Sequence, residues 1–193
     1  MAFFNWVAPL FGRYADRWDD EAIGRIAGWL APFLPRDAPA SILDVGGGTG
    51  ALAGRLHDSL GARVTVLDPT PEMLRYVNET DWVTPVRGSA EAMPFADDTF
   101  DAVIVTDAFH HFRDQSGAAR EFARVVRPGG GVIVLEMDPR GLMRLVVAGE
   151  RLLGEPGAFF TPDEMCAFMA ANGIAGECAP IAGVSYRYVG RVT

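Results

Sequence analysis

The chain has 193 residues, 17 basic and 25 acidic side chains and a formal net charge of −8, and all of its basic residues are arginines. That acidic balance excludes the broad basic face that a nucleic-acid partner requires. With 49% hydrophobic and 22% charged residues the chain reads as soluble and globular with a substantial core, and it holds no apolar run of the ~18 residues needed for a transmembrane segment.

The opening stretch is crowded with aromatics, and Trp6, Leu10, Tyr14 and Trp18 recur at a spacing that places them on one helical face. Residues 1–38 therefore read as a helical, aromatic segment and a candidate lid, with Trp6 and Tyr14 as acceptor contacts; simple packing on the sheet is the competing reading. The start lacks the basic stretch of a signal peptide. Cys166 and Cys178 make neither a C-x-x-C pair nor a metal cluster with His57, His110 or His111, so a cytoplasmic, reducing setting and no metal are expected. Cys166 falls on a helical apolar stripe and reads as core.

Ser41-Ile42-Leu43 is a short buried strand that runs into Asp44 and a glycine turn. A helix from Ala51 to Leu60 follows, with Gly61 placed to cap it. Val64 to Asp68 is the second strand, after which Thr70 serves as N-cap and Pro71 as first helical residue. Trp82 to Val86 is a third strand, placed at a sheet edge because Pro85 has no N–H to donate. Ala102 to Thr106 is a fourth, apolar enough to be central. A helix from Gly117 to Val126 is stopped by an Arg127-Pro128-Gly129-Gly130 turn, and Gly131 to Glu136 is the fifth strand. Leu142, Leu145, Val146, Leu152 and Leu153 lie at helical spacing. Thr161-Pro162-Asp163-Glu164 is a capping box that opens a helix ending at Asn172-Gly173. Ile174 to Cys178 and Ser185 to Val192 form a terminal strand pair. The alternation predicts an α/β fold with a parallel sheet, and the lack of repeats and linkers predicts a single domain over 1–193.

A strand, a glycine turn and a helix N-terminus together bind a nucleotide-like ligand, because glycine adopts left-handed dihedrals and leaves N–H groups pointing outward. Gly46-Gly47-Gly48-Thr49-Gly50-Ala51 fits the dinucleotide pattern, with Asp68 about 20 residues on as a ribose-binding acid. Asp44 separates the possible ligands. A carboxylate there would repel a pyrophosphate but suits a ligand end carrying an ammonium and a sulfonium.

Leu43-Asp44-Val45-Gly46-Gly47-Gly48-Thr49-Gly50 resembles motif I of the class I S-adenosylmethionine-dependent methyltransferases. Gly88 to Phe95, with Phe100-Asp101 after it, resembles the segment that follows the adenine edge in that family, and Arg127-Pro128-Gly129-Gly130 matches as a structural motif. Phe4 to Phe11 is similar to the opening of ubiquinone and menaquinone biosynthesis C-methyltransferases. Across Ile42 to Glu136 the resemblance implies a doubly wound, mostly parallel, Rossmann-like seven-stranded sheet with its last strand antiparallel. It implies S-adenosylmethionine as cofactor, held at Asp44, Gly46, Gly48 and Thr49 and by Asp68 on the ribose. Met73 would lie against the adenine, Ser89 and Ala90 at its edge, and Thr106 beside the methionine part. His110, His111 and Tyr14 are the candidate groups for taking a proton from an acceptor, with packing as the alternative for the histidines. The reaction implied is in-line methyl transfer to a small, partly apolar molecule such as a quinone-like or polyketide-like ring. A nicotinamide-dependent oxidoreductase and a non-catalytic S-adenosylmethionine-binding protein are the alternatives.

Overall fold

In the computed structural model, which describes residues 18–140, 158–181, 183 and 185–193, the first element is helix α1 (Asp20–Leu30). Asp19 caps it by accepting a hydrogen bond from the Ala22 N–H at 2.7 Å, and Ile23, Ile26 and Leu30 form its buried face. Then come β1 (Ser41–Val45), α2 (Ala51–Leu60), β2 (Arg63–Asp68), the single-turn α3 (Pro71–Leu74), β3 (Val83–Arg87) and β4 (Phe100–Thr106). A 3-10 turn (Phe109–His111) leads to α4 (Gln115–Val125) and β5 (Val126–Met137), followed by α5 (Pro162–Ala171), β6 (Ile174–Pro180) and β7 (Ser185–Val192). The helical stripe read from Leu142 to Leu153, and the aromatic face before Trp18 with Trp6 and Tyr14, lie outside the described residues.

The strands form one seven-stranded sheet in the order β3-β2-β1-β4-β5-β7-β6. All pairs from β3 to β5 are parallel, and β7 runs antiparallel between β5 and β6. This is the doubly wound sheet with an antiparallel last strand that the resemblance implied. The edge position of β3 and the central, buried position of β4 also match the sequence reading.

Side chains alternate across each strand, so each strand feeds two cores. Ile42, Val64, Val66, Ala102 and Ile104 pack with α1 and α2 on one face. Leu43, Val45, Val103, Val105 and Val132 pack with Phe122 of α4 and Met165 and Met169 of α5 on the other. At Thr161 the capping box is present in full: its hydroxyl accepts from the Glu164 N–H while the Glu164 carboxylate accepts from the Thr161 N–H.

Two local readings are corrected. Thr70 stands before α3 but its side chain caps nothing; the Thr70 N–H instead donates to Asp68 Oδ1 at 2.8 Å. An aspartate two residues back reaches that N–H as an Asx turn does. Arg127 to Gly130 is also no turn between elements. Helix α4 ends at Val125, Val126 already pairs with Phe100, and the register then shifts so that Gly131 pairs with Ala102. The excursion is anchored by the Arg127 guanidinium, which donates to Asp101 at 2.6 Å and to the Phe33 carbonyl at 2.8 Å.

Gly130 is required by that excursion. A Cβ there would lie 2.6 Å from the Asp101 carbonyl oxygen and 2.9 Å from the Arg127 carbonyl oxygen, two backbone atoms that have no room to yield. Gly130→Ala is expected to destabilise the protein by about 1–3 kcal/mol. Urea unfolding should show a lower midpoint with an unchanged slope.

Candidate functional site

Strand order reverses at β1, which has β2 on one side and β4 on the other. The connections that leave the carboxyl ends of these strands diverge, and ligands of open α/β sheets bind in the crevice between them. A cavity of about 720 Å³ opens there. Asp44, Gly46, Gly48, Thr49, Asp68, Met73, Ser89, Ala90 and Thr106 all line it. These are the nine positions expected to hold the cofactor.

The glycine turn shapes the floor. Gly46, Gly48 and Gly50 have φ of +71°, +56° and +71°, a left-handed alternation that only glycine accepts readily. The Gly46 N–H donates to the Leu67 carbonyl at 2.7 Å, hooking the turn to the end of β2. A Cβ on Gly46 would stand 2.6 Å from the Ala108 Cβ, so the turn also lies close against the chain that leaves β4.

Two carboxylates lie on the α2-facing side of the sheet beneath this turn. Asp68 is nearly buried and already spoken for in part: Oδ1 accepts from the Thr70 N–H and Oδ2 from the Gly48 N–H at 3.1 Å. A carboxylate has about four acceptor sites, so lone pairs remain for a ligand's hydroxyls. Burial pushes its pKa up, while the Thr70 and Gly48 bonds pull it down.

Asp44 is different. It is fully buried, its ladder neighbours are Val66 and Ile104, and neither of its oxygens has a hydrogen-bond partner among the described residues. Burial first, and the nearby charge of Asp68 second, raise its pKa from 3.8 to about 7. Such a group calls for a cation to complete it.

The loop after β3 is held from behind by α4. Glu121 accepts from the Met93 N–H at 2.7 Å, and Arg124 donates to the Met93 and Phe95 carbonyls and to Glu121. On the loop itself, Glu91 accepts from the Arg113 N–H at 2.9 Å, joining it to the chain before α4. Ser89 and Ala90 are thereby fixed at the cavity wall.

Of the candidate catalytic groups, His111 lines the cavity and His110 lies buried directly behind it, ring centroids 4.0 Å apart. Tyr14 lies outside the described residues. Trp18, the last residue of the expected aromatic face, is described and lines the cavity near the first turn of α2.

Asp107, a wall residue, and Glu136, which does not line the cavity, were given no role from the sequence. Asp107, at a left-handed φ of +48°, continues β4 into the cavity and donates its N–H to the Leu135 carbonyl at 2.9 Å. Glu136 was read only as the last residue of a strand, yet its carboxylate binds His110 Nδ1 at 2.8 Å. Asp44 was singled out as an acid inside an apolar run just before a glycine turn; Glu136 also closes an apolar run, but Met137-Asp138-Pro139 follows it.

A methyltransferase domain family model matches residues 43–134. The chain is 38% identical to the ubiquinone/menaquinone biosynthesis C-methyltransferase UbiE of Paracoccus denitrificans, across 68% of this chain and 59% of that one. It is 36% identical to the demethylmenaquinone methyltransferase of Thermus thermophilus, across 78% of this chain and 77% of that one. The chain thus spans about three-fifths of the Paracoccus protein's length. A solved SAM-dependent methyltransferase of Thermotoga maritima has the same fold, with a TM-score of 0.73 at 19% identity over 98% of both chains. The chain belongs to the class I S-adenosylmethionine-dependent methyltransferases, whose cofactor is S-adenosylmethionine. No helix among the described residues is long and apolar enough to cross a membrane.

The raised pKa of Asp44 has a consequence for stability. Between its ordinary 3.8 and about 7, the folded protein retains a proton that the unfolded chain has released. Stability without ligand therefore falls as pH rises through that window. Asp44→Asn carries no ionisable group there, so its melting temperature should gain on the wild type as pH is raised from 4 to 7 and hold that gain above 7. Thermal melts across that range check it; parallel curves for the two proteins would refute it.

Proposed function

We propose that the chain is a methyltransferase that moves the methyl group of S-adenosylmethionine to a small, partly apolar acceptor. The observation that carries this reading is the fully buried Asp44 at the wall of the cavity, with no hydrogen-bond partner on either oxygen among the described residues. A pyrophosphate would be repelled there, whereas the cofactor's ammonium end would complete the carboxylate. Asp68 takes the ribose hydroxyls with its remaining lone pairs, Met73 packs on the adenine, and Ser89 and Ala90 meet the adenine edge. Thr106 lies beside the methionine part. The bound cofactor supplies an electrophilic methyl on a positively charged sulfur.

For the acceptor we favour a quinone-like ring in its reduced form. Two relatives are named for ubiquinone/menaquinone and demethylmenaquinone chemistry. A quinone ring is electrophilic, so only the electron-rich hydroquinone attacks a methyl cation equivalent. Holding ring carbon and methyl in near-attack geometry contributes up to ~7–11 kcal/mol. Trp18 offers an aromatic wall for such a ring.

Calorimetric titration separates the readings of the cofactor. S-adenosylmethionine should bind and NAD should not, and the reverse result would restore the oxidoreductase. At pH 6 binding should release a proton, because a cation favours ionised Asp44; titrations in two buffers of different ionisation enthalpy measure it. Formation of S-adenosylhomocysteine with a reduced naphthoquinone distinguishes an enzyme from a protein that only binds the cofactor.

Asp68→Ala should weaken cofactor binding roughly ten- to hundredfold, the effect of losing charge-assisted hydrogen bonds of ~1.5–3 kcal/mol. The variant also loses the Asp68 bonds to Gly48 and Thr70, so its melting temperature should fall as well. Unchanged affinity in a folded Asp68→Ala protein would remove the ribose assignment.

A further inference from the structure

Glu136 ends the buried part of β5, is 3% exposed, and has no place in the cofactor contacts above. Both of its oxygens are used by one turn. Oε1 accepts from the Phe109 N–H at 2.9 Å and the His110 N–H at 3.4 Å, and Oε2 lies 2.8 Å from His110 Nδ1. Three donors converging on one group is the geometry of a carboxylate, and burying a carboxylate is costly unless its oxygens are bonded. A neutral side chain would close this turn at less cost. What the carboxylate adds is control of a proton: it only accepts, so Nδ1 of His110 carries the hydrogen.

The His110 ring is held on its faces as well. It stacks on Phe159 at 4.3 Å and 15°, and meets the His111 ring at 4.0 Å. His111 lines the cavity and His110 does not, so Glu136, His110 and His111 form a series leading from the sheet edge to the cavity wall. We propose that Glu136 is a positioning residue for the acceptor end of the cavity. It holds the His110–His111 turn and fixes His110 in its Nδ1–H form, so that His111 faces an acceptor that gives up a proton. This rests on the methyl-transfer reading. The acceptor's nucleophilic atom bonds to the methyl carbon as the carbon–sulfur bond breaks with its electron pair passing to sulfur, and the acceptor's proton passes to the His111 imidazole and then to solvent.

Glu136→Gln tests it. The amide oxygen still accepts from the two backbone N–H groups, but the amide nitrogen donates to Nδ1 and drives His110 to its Nε2–H form. Three readouts are taken: imidazole nitrogen spectra by NMR, S-adenosylmethionine affinity by calorimetry, and methyl transfer to 2-prenyl-1,4-naphthohydroquinone. The expected result is a switched tautomer, cofactor affinity within about twofold, and kcat lower by about a hundredfold with KM for the hydroquinone nearly unchanged. Full kcat with a switched tautomer overturns the proposal, as does a wild-type spectrum with the proton on Nε2. If Glu136→Gln does not fold, His110→Asn decides: its amide keeps the donor to Glu136 but removes the ring, and full kcat in that folded variant also overturns the proposal. A wild type that fails to bind S-adenosylmethionine defeats the methyl-transfer reading itself, and one that binds it but leaves the hydroquinone unmethylated defeats the choice of acceptor. In either case the wild-type and Glu136→Gln spectra still decide whether Glu136 sets the His110 proton.

Discussion

Asp44 sits in the middle of a parallel sheet with Val66 and Ile104 as its ladder neighbours and no hydrogen-bond partner among the described residues. Removing an ionised carboxylate from water costs several kcal/mol when nothing answers the charge, and the raised pKa expresses that cost. The surrounding structure is arranged to sustain it. Gly47 has to be glycine, since a Cβ there would lie 2.5 Å from Asp44 Oδ2. The strands on either side bury long aliphatic runs against helices on both faces, and that burial, at about 25 cal/mol per Å², offsets one unfavourable group.

The cavity around Asp44 is held by backbone hydrogen bonds, which leaves little for a ligand to order. The glycine turn is joined to β2 through the Leu67 carbonyl and to Asp68 through the Gly48 N–H. The loop after β3 is joined to α4 through Glu121 and Arg124, which bond backbone atoms of Met93 and Phe95. Walls from β1, β2, β4 and the loop after β3 are therefore set before any ligand arrives, and preorganisation of this kind lowers the entropic cost of binding.

Asp44 and Glu136 each stand one residue before the end of an apolar strand, and their surroundings give them opposite characters. Asp44 lines the cavity with neither oxygen hydrogen-bonded among the described residues. Glu136 has three donors, all on the turn carrying His110, so the protein completes it. The strand pattern is the same in both; the difference lies in what the neighbouring loop brings within hydrogen-bond reach.

The α/β alternation was legible in the sequence because it depends on local chemistry, while the full strand order and most of the residues that line the cavity were implied by the family resemblance. Apolar runs specify strands, Pro85 specifies an edge, and the glycines between Gly46 and Gly50 specify left-handed backbone. The capping box at Thr161 needs only residues three apart. What tertiary structure decided are contacts between distant segments. Whether Arg127 to Gly130 turns or bulges depends on Asp101 and on the Phe33 carbonyl, far away in the chain. That Asp68, not Thr70, serves the start of α3 follows from where β2 delivers its last residue against the glycine turn. The tie between Glu136 and His110 spans 26 residues and exists only because β4 and β5 lie side by side. Sequence pattern reports the preference of each residue for its own surroundings, whereas the partner of a buried charge is determined by which strands the sheet sets next to each other.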